Sequence, residues 1–306
     1  MHGKTAIVTG ATNGIGKVTA LELARKGARV IVVGRNPVRV TGTVDEIKAA
    51  TGQNQVSGEV ADLTLMAAVR DLANRITANY PRIDVLINNA GALFPQRQLT
   101  TEGLGMTFAL NHISYFLLTN LLLDTIIGSA PARIINVSSD MHMQSAVDLD
   151  NLQTEGFYNP VGHYGRTKGM NILFTRELAW RLATRGVNAD QVTVNTLHPG
   201  MVDSNFFQSK SGLITQMIMG GITLFGRLSG RMVSPEQGAQ TSIYLASSPE
   251  VAGVTGHYFV NCHEEPASAA CQDAATARRL WEISERMADL SSVEARAANR
   301  GAPVVT

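Results

Sequence analysis

Short runs of β-branched residues alternate with segments of helical spacing along most of this chain, and that alternation limits the fold more than any single motif. Thr5 to Val8 is the first run, and helical spacing follows through Ile15 to Lys26. Arg29 to Val33 precedes a helix through Val44 and Ile47, Gln55 to Val60 precedes Met66 to Ile76, and Val85 to Ile87 precedes a long helix around Leu110 to Ile127. Arg133 to Val137 and Gln191 to Leu197 bracket a helix through Asn171 to Leu182, and a last run at His257 to Val260 is placed to close the sheet. Strands buried on both faces read as continuous Val, Ile and Leu, as Val30 to Val33 does, and strand–helix repetition requires parallel pairing. The expected architecture is α/β, a Rossmann-type doubly wound parallel sheet of about seven strands with helices on both faces. It forms a single domain over residues 1–293, with a C-terminal tail at 294–306. Right-handed crossovers then gather ligands beyond the carboxyl ends of the strands.

Composition narrows the partners. The chain has 306 residues, 44% of them hydrophobic and 17% charged, which supports one well-buried core. A net charge of +1 provides no general field for nucleic acid or an anionic membrane, so a small-molecule partner is expected and no nucleic acid. Cys262 and Cys271 stand without the histidines or second cysteine pair of a metal site, so neither a metal nor a disulfide framework is expected and the setting is read as reducing and cytoplasmic. The first strand begins within a few residues of Met1, so no signal peptide is expected. The apolar stretch Tyr115 to Ile127 falls short of the roughly 18 residues a membrane span needs, and Thr119, Asn120 and Asp124 interrupt it. It is expected to be a buried core helix and not a transmembrane segment.

The sharpest local signal follows the first strand. In Thr9-Gly10-Ala11-Thr12-Asn13-Gly14-Ile15-Gly16, three glycines let the backbone turn tightly and approach a pyrophosphate lying on a helix N-terminus. Their G-x-x-x-G-x-G spacing resembles the short-chain dehydrogenase/reductase family. Asn88-Asn89-Ala90-Gly91 after the fourth strand, Asn111 in the next helix, Ser139 after the fifth strand, Tyr164-Gly165-Arg166-Thr167-Lys168, and Pro199-Gly200 after the sixth continue the resemblance in order. It spans roughly Lys4 to Asn261 and continues weakly through Arg279-Leu280-Trp281. Within the family the chain is most similar to retinol dehydrogenases. Asn111-His112 ahead of Phe116-Leu117-Leu118-Thr119, the run Asn171 to Ala179, and Gly238-Ala239-Gln240-Thr241-Ser242 carry that similarity. The chain departs from its relatives in having Thr167 where serine is common, and the N-terminal anchor of many animal members is not expected here.

Tyr164 and Lys168 also argue for chemistry on their own. Four residues apart on a helix, they share one face. A free tyrosine, with a pKa of about 10, is scarcely ionised at neutral pH, and a nearby cation lowers that by roughly 1–3 units. Tyr164 is therefore the expected acid/base and Lys168 its helper. A serine just beyond the fifth strand is placed to donate a hydrogen bond to a substrate oxygen. Ser138 and Ser139 both qualify, and the resemblance favours Ser139, 25 positions before the tyrosine. The resemblance further implies that Asn111 holds a water linking Lys168 to solvent. It also implies that Asn89, Ala90 and Gly91 border the cofactor, that Pro199, Gly200 and Val202 place the nicotinamide, and that Asp62 and Leu63 meet the adenine. His198 is read as packing, and Asp62 has a helix N-cap as its alternative.

NAD enzymes place an acid at the end of the second strand for the ribose 2′-hydroxyl. Here Gly34-Arg35-Asn36 holds none, while Arg35, with help from Arg39, suits a 2′-phosphate. NADP(H) is expected ahead of NAD(H). Between Ser139 and Tyr164 an insertion through Asp148 to Leu152 and Phe157-Tyr158 is expected to border the substrate pocket. Leu213 to Leu228, with Ile214, Met217, Ile218, Ile222 and Phe225 at helical spacing, reads as the core of a lid over an apolar substrate at about residues 203–234. A core stripe and a surface making peripheral membrane contact are the alternatives. The resulting expectation is an oxidoreductase for a lipophilic alcohol and its aldehyde or ketone, with a carbon–carbon double-bond reductase of the protochlorophyllide type and a non-catalytic NADP-binding sensor or scaffold as alternatives. Family members pair through long helices, so a homodimer or homotetramer is expected.

Overall fold

The computed structural model describes residues 1–202 and 232–290. The chain alternates as expected: β1 (Thr5–Thr9), α1 (Gly14–Arg25), β2 (Arg29–Gly34), α2 (Pro37–Thr51), β3 (Val56–Val60), α3 (Met66–Asn79) and β4 (Val85–Asn88). A helical turn α4 (Met106–Phe108) and a π-helical turn Ala109–Ile113 lead into α5 (Ser114–Gly128). There follow β5 (Ala132–Val137), a 3-10 turn Asp140–Gln144, α6 (Pro160–Thr184), β6 (Val192–His198), β7 (Met201–Val202), β8 (Met232–Val233) and α7 (Pro235–Ser247). The chain then passes through β9 (Tyr258–Val260), β10 (His263–Glu264), α8 (Ala269–Gln272) and α9 (Ala274–Met287).

The sheet has eight strands in the order β10-β9-β6-β5-β4-β1-β2-β3, one more than expected. The additional strand is β10, which turns back antiparallel on β9 and has only two residues, too few for a periodic signal. Every other pair in this sheet is parallel. The chain works outward from β1 to β3 and then resumes on the other side of β1 with β4. That reversal opens a crevice between the carboxyl ends of β1 and β4. β7 and β8 pair separately, Met201 opposite Met232 and Val202 opposite Val233.

Alternate strand residues feed two cores. Ile7, Ile31, Leu86, Ile134 and Val194 pack with α3, α5, α6 and α9, while Ala6, Val8, Val32, Ile87 and Val137 pack with α1, α2 and α7. Helix ends follow local chemistry. Asn36 caps α2 by accepting from Arg39 N, Pro37 opens it, and Gly52 closes it in the left-handed region at φ +68°. β3, at the sheet edge, exposes alternate residues and carries the Glu59–Arg75 ion pair, which guards that edge against pairing.

Contrary to expectation, the helix through Tyr115 to Ile127 is not too short for a membrane span. The continuous helix Met106–Gly128 has 23 residues and is long and apolar enough to cross a bilayer. Burial, not length, makes it a core helix: Phe116, Leu117, Leu118, Leu122 and Ile126 are all inside the fold. The lid core Leu213 to Leu228 and the tail 294–306 lie outside the described residues.

Candidate active site

The carboxyl ends of β1 and β4 are tied together before any ligand is considered. Thr9 Oγ1 accepts from the amides of Asn89 (2.9 Å) and Ala90 (3.0 Å), and Asn89 Nδ2 donates to Thr9 O at 2.8 Å. Glycine is required for the turn to fit against that tie. Gly10 has φ +64°, and a Cβ at Gly16 would lie 2.4 Å from Asn89 Nδ2 and 2.5 Å from Gly10 O. α1 starts at Gly14 with no side-chain bond from its N-cap Asn13 and no acid in its first turn, so its amides keep their capacity for an anion. Thr12 packs against Gly34 at the end of β2, and Ile15 lies in the first turn of α1.

The neighbouring strand ends frame the rest of the crevice. Arg35 and Arg39 are exposed beyond β2, with Asn36 committed to capping between them. Asp62 forms a local turn, accepting from Thr64 N and Thr64 Oγ1, and it does not cap α3. That cap comes from Glu102 in a distant loop, whose carboxylate accepts from Met66 N (2.6 Å) and Ala67 N (2.9 Å). The Leu63 side chain is buried in the core. Gly200 has φ +84° and approaches Val233 on β8, while Pro199 precedes it and Val202 ends β7.

α6 brings Tyr164 and Lys168 to the end of β5, with 8% and 2% of their surfaces exposed. Lys168 Nζ donates to Val137 O at 2.9 Å and lies 5.5 Å from the Tyr164 ring centre. Ser138 spends its hydroxyl on Lys168 O at 2.8 Å, whereas Ser139 hydrogen-bonds the Tyr164 phenol and donates to Asp140 Oδ1 at 3.1 Å. Of the two serines, Ser139 is therefore the one in contact with the phenol. Gly91 closes the group: a Cβ there would lie 3.2 Å from Asn111 Oδ1 and 3.3 Å from Lys168 Nζ.

Asn111 sits in the π turn and not in regular α-helix. Its Oδ1 accepts from Ala92 N (2.9 Å), and its Nδ2 donates to Ala92 O (3.0 Å) and Thr167 Oγ1 (3.2 Å). π turns are rare and concentrate at functional sites.

The electrostatics differ from the sequence expectation. Burial, with Asp140 adding to it, pushes the Tyr164 phenol up, against the hydrogen bond it shares with Ser139. Burial pushes the Lys168 amine down to about 7. Lys168 is anchored to a main-chain carbonyl and is itself poorly solvated, so desolvation outweighs its expected pull on the phenol. No sequence pattern marks Asp140, whose influence comes from sitting one residue past Ser139 on the 3-10 turn. His198 Nε2 lies 3.7 Å from Asp140 Oδ2, and burial pushes that imidazole down.

A glycine-gated crevice at the strand reversal, an uncapped helix end and a buried Tyr/Lys pair beside Ser139 agree with the comparison by sequence, in which the family model for short chain dehydrogenases matches residues 4–212. The chain belongs to the short-chain dehydrogenase family. Members of this oxidoreductase family bind NAD(P)(H). Human retinol dehydrogenase 14 is 42% identical over 304 residues, covering 95% of this chain and 88% of that protein. Human retinol dehydrogenase 13 is 39% identical, covering 96% and 87%. Among solved structures, a Mycobacterium paratuberculosis protein superposes with a TM-score of 0.72 at 29% identity, covering 94% of each chain. The Pseudomonas aeruginosa RhlG/NADP complex superposes with a TM-score of 0.66 at 27% identity, covering 85% of this chain and 94% of that one. The resemblance to retinol dehydrogenases therefore stands, on a fold shared with other short-chain dehydrogenases.

Proposed function

We propose that this chain interconverts a lipophilic alcohol and its aldehyde or ketone with NADP(H), with Tyr164 as general acid/base and Lys168, Ser139 and Asn111 assisting. One observation carries the reading: the buried phenol of Tyr164, bonded to Ser139 and sharing a helix face with Lys168, stands at the carboxyl edge of the sheet next to the glycine-gated crevice. When bound, the nicotinamide supplies or accepts the hydride. The protein's part is to hold the substrate oxygen and move its proton. Burial and Asp140 keep the proton on Tyr164, which makes the phenol the donor in the reducing direction. Ser139 steadies charge on the same oxygen. Lys168, at about 7, exchanges a proton readily near neutrality and is suited to restoring the one Tyr164 gives up.

Gly10, Thr12, Asn13, Gly14, Ile15 and Gly16, with the open end of α1, would hold the pyrophosphate. Arg35 would meet the 2′-phosphate, Asp62 and Leu63 the adenine, Asn89, Ala90 and Gly91 the middle of the crevice, and Pro199, Gly200 and Val202 the nicotinamide side along with Tyr164 and Lys168. The exposed Arg35 and the absence of a carboxylate at residues 34–36 support NADP(H), as does the NADP held by the Pseudomonas aeruginosa relative.

NADPH oxidation across a panel of apolar aldehydes and ketones, with wild type beside Tyr164→Phe, tests the mechanism. Turnover is expected only in wild type, and equal turnover by the variant would overturn it. Better catalytic efficiency with NAD(H) than NADP(H) would remove the cofactor assignment. A cytoplasmic location belongs to the proposal and is supported by the free thiols of Cys262 and Cys271. Association into a homodimer or homotetramer is checked by light scattering, where a monomer mass would refute it. α9 already covers part of the apolar surface of α5 and α6, through Trp281 against Phe116 and Phe174.

A further inference from the structure

The family model ends at residue 212, yet a helix beyond it reaches back to the site. α9 lies on α6, with Trp281 4.8 Å from the Phe116 ring and 5.7 Å from the Phe174 ring, and with the Arg181 guanidinium 4.4 Å over its face. One turn later on the same helix, fully buried Ser284 places Oγ 2.9 Å from His112 Nε2. His112 is fully buried among Phe108, Phe116 and Phe174, and it follows Asn111 directly in the π turn. Its Nδ1 lies 3.3 Å from Asn171 Oδ1, and Asn171 Nδ2 donates to Asn111 O at 2.9 Å.

Proton directions in this chain of contacts follow from one fixed point. A main-chain carbonyl only accepts, so the Asn171 amide nitrogen must face Asn111 O and its oxygen must face His112. Nδ1 of His112 then carries the proton, Nε2 is bare, and the Ser284 hydroxyl donates to it. No other arrangement of a neutral ring leaves all four groups paired. Burial pushes the imidazole down to about 4, so it stays neutral, as this arrangement requires.

We propose that Ser284, His112 and Asn171 are positioning residues, a hydrogen-bond chain through which the docked C-terminal helix holds the π turn so that Asn111 meets Ala92 and Thr167. The inference rests on the reading above that Asn111 serves the reaction. Such chains polarise one another, and a buried member left unpaired shifts its neighbours.

A double-mutant cycle tests it. Ser284→Ala is expected to lower kcat for NADPH-dependent carbonyl reduction by about tenfold, since small misplacements of a catalytic group cost rate steeply, with the KM for NADPH unchanged. In an Asn111→Ala background the same substitution is expected to cause no further loss. An equal loss in both backgrounds, or none in wild type, overturns the proposal. A second measurement reads the wild-type protein directly: imidazole nitrogen NMR, with the His112 resonances identified by their loss in His112→Gln, is expected to show the Nδ1–H tautomer. An Nε2–H tautomer or a protonated ring near neutral pH also overturns it. Tyr164→Phe run alongside separates the two failures. Retained activity there refutes the functional reading and this inference with it, whereas tyrosine-dependent turnover without Ser284–Asn111 coupling refutes this inference alone.

Discussion

Lys168 carries a cost that is measurable without any substrate. Its amine has an ordinary pKa of 10.5 and is brought to about 7 by burial alone. Each tenfold change in proton affinity corresponds to about 1.4 kcal/mol, so holding this ammonium in the fold costs about 4–5 kcal/mol when fully charged. Between 7 and 10.5 the unfolded chain binds more protons than the folded one, and wild-type stability therefore rises with pH over that interval. The penalty is full below 7 and gone above 10.5. Lys168→Met removes the titration while keeping most of the side-chain volume. It also loses the bond to Val137 O, which costs about 1 kcal/mol independently of pH and shifts only the offset. The variant is expected to be more stable than wild type near neutrality, and inactive. Its advantage is expected to narrow by about 3 kcal/mol between about pH 7 and about pH 9.5, below the range where unfolded tyrosines ionise. Urea unfolding at several pH values measures the gap, with equal m-values confirming a like-for-like transition. Parallel stability curves would refute the reasoning, because the amine would then keep its ordinary proton affinity in the fold.

Four further substitutions probe the same structure. Gly16→Ala is expected to weaken NADPH binding at least about tenfold through displacement of Asn89, while Gly42→Ala, on the exposed side of α2 with nothing within 4 Å, is expected to stabilise the fold by about 0.5–1 kcal/mol; fluorescence titration and thermal melts compare them. Burial pushes Asp84 up, but Arg82, Lys4 and Thr5 N together hold it below 3.8, so Asp84→Asn is expected to cost about 2–3 kcal/mol at neutral pH. That contribution is present above 3.8 and lost as pH falls through the lowered folded value, so acid titration of the two proteins is expected to converge. Glu102→Gln removes the charge that caps α3 and is expected to cost about 1 kcal/mol in chemical unfolding.

What was legible in the sequence is what periodicity and strand-end position encode. β2 reads as a buried parallel strand because all its interior residues are apolar, and the glycines at 10, 14 and 16 announce the turn that only glycine can make. Helical spacing puts Tyr164 and Lys168 on one face, and it is their place at a strand end, with the family resemblance, that marks the pair as more than an ordinary helix-face contact. β10 was not, since two residues carry no period, and the full length of the Met106–Gly128 helix was hidden by the π turn. Sequence spacing gives the proximity of Tyr164 to Lys168 but not its solvation, and burial reverses the expected downward shift of the phenol. Asp140, Glu102 and Ser284 act across loops or 36 and 172 residues of chain, and no local pattern marks such partners.

The position of the Tyr/Lys pair is itself set from below. Asn88 Nδ2 on β4 donates to Thr119 Oγ1 on α5 and to Asn136 Oδ1 on β5, each at 2.9 Å. Asn136 Nδ2 donates to Thr175 Oγ1 on α6 at 2.9 Å, and Thr175 donates in turn to Asn171 O. These groups are buried, so a slip of α6 by one residue along the sheet would leave several donors and acceptors unpaired at about 1–3 kcal/mol each. An apolar interface would tolerate that slip far better, because dispersion contacts re-form in many registers. The polar ladder therefore fixes the register of α6, and with it the height at which Tyr164 meets Ser139 and Lys168 meets Val137. Precision at the sheet edge is the consequence of directional bonds placed one layer beneath it.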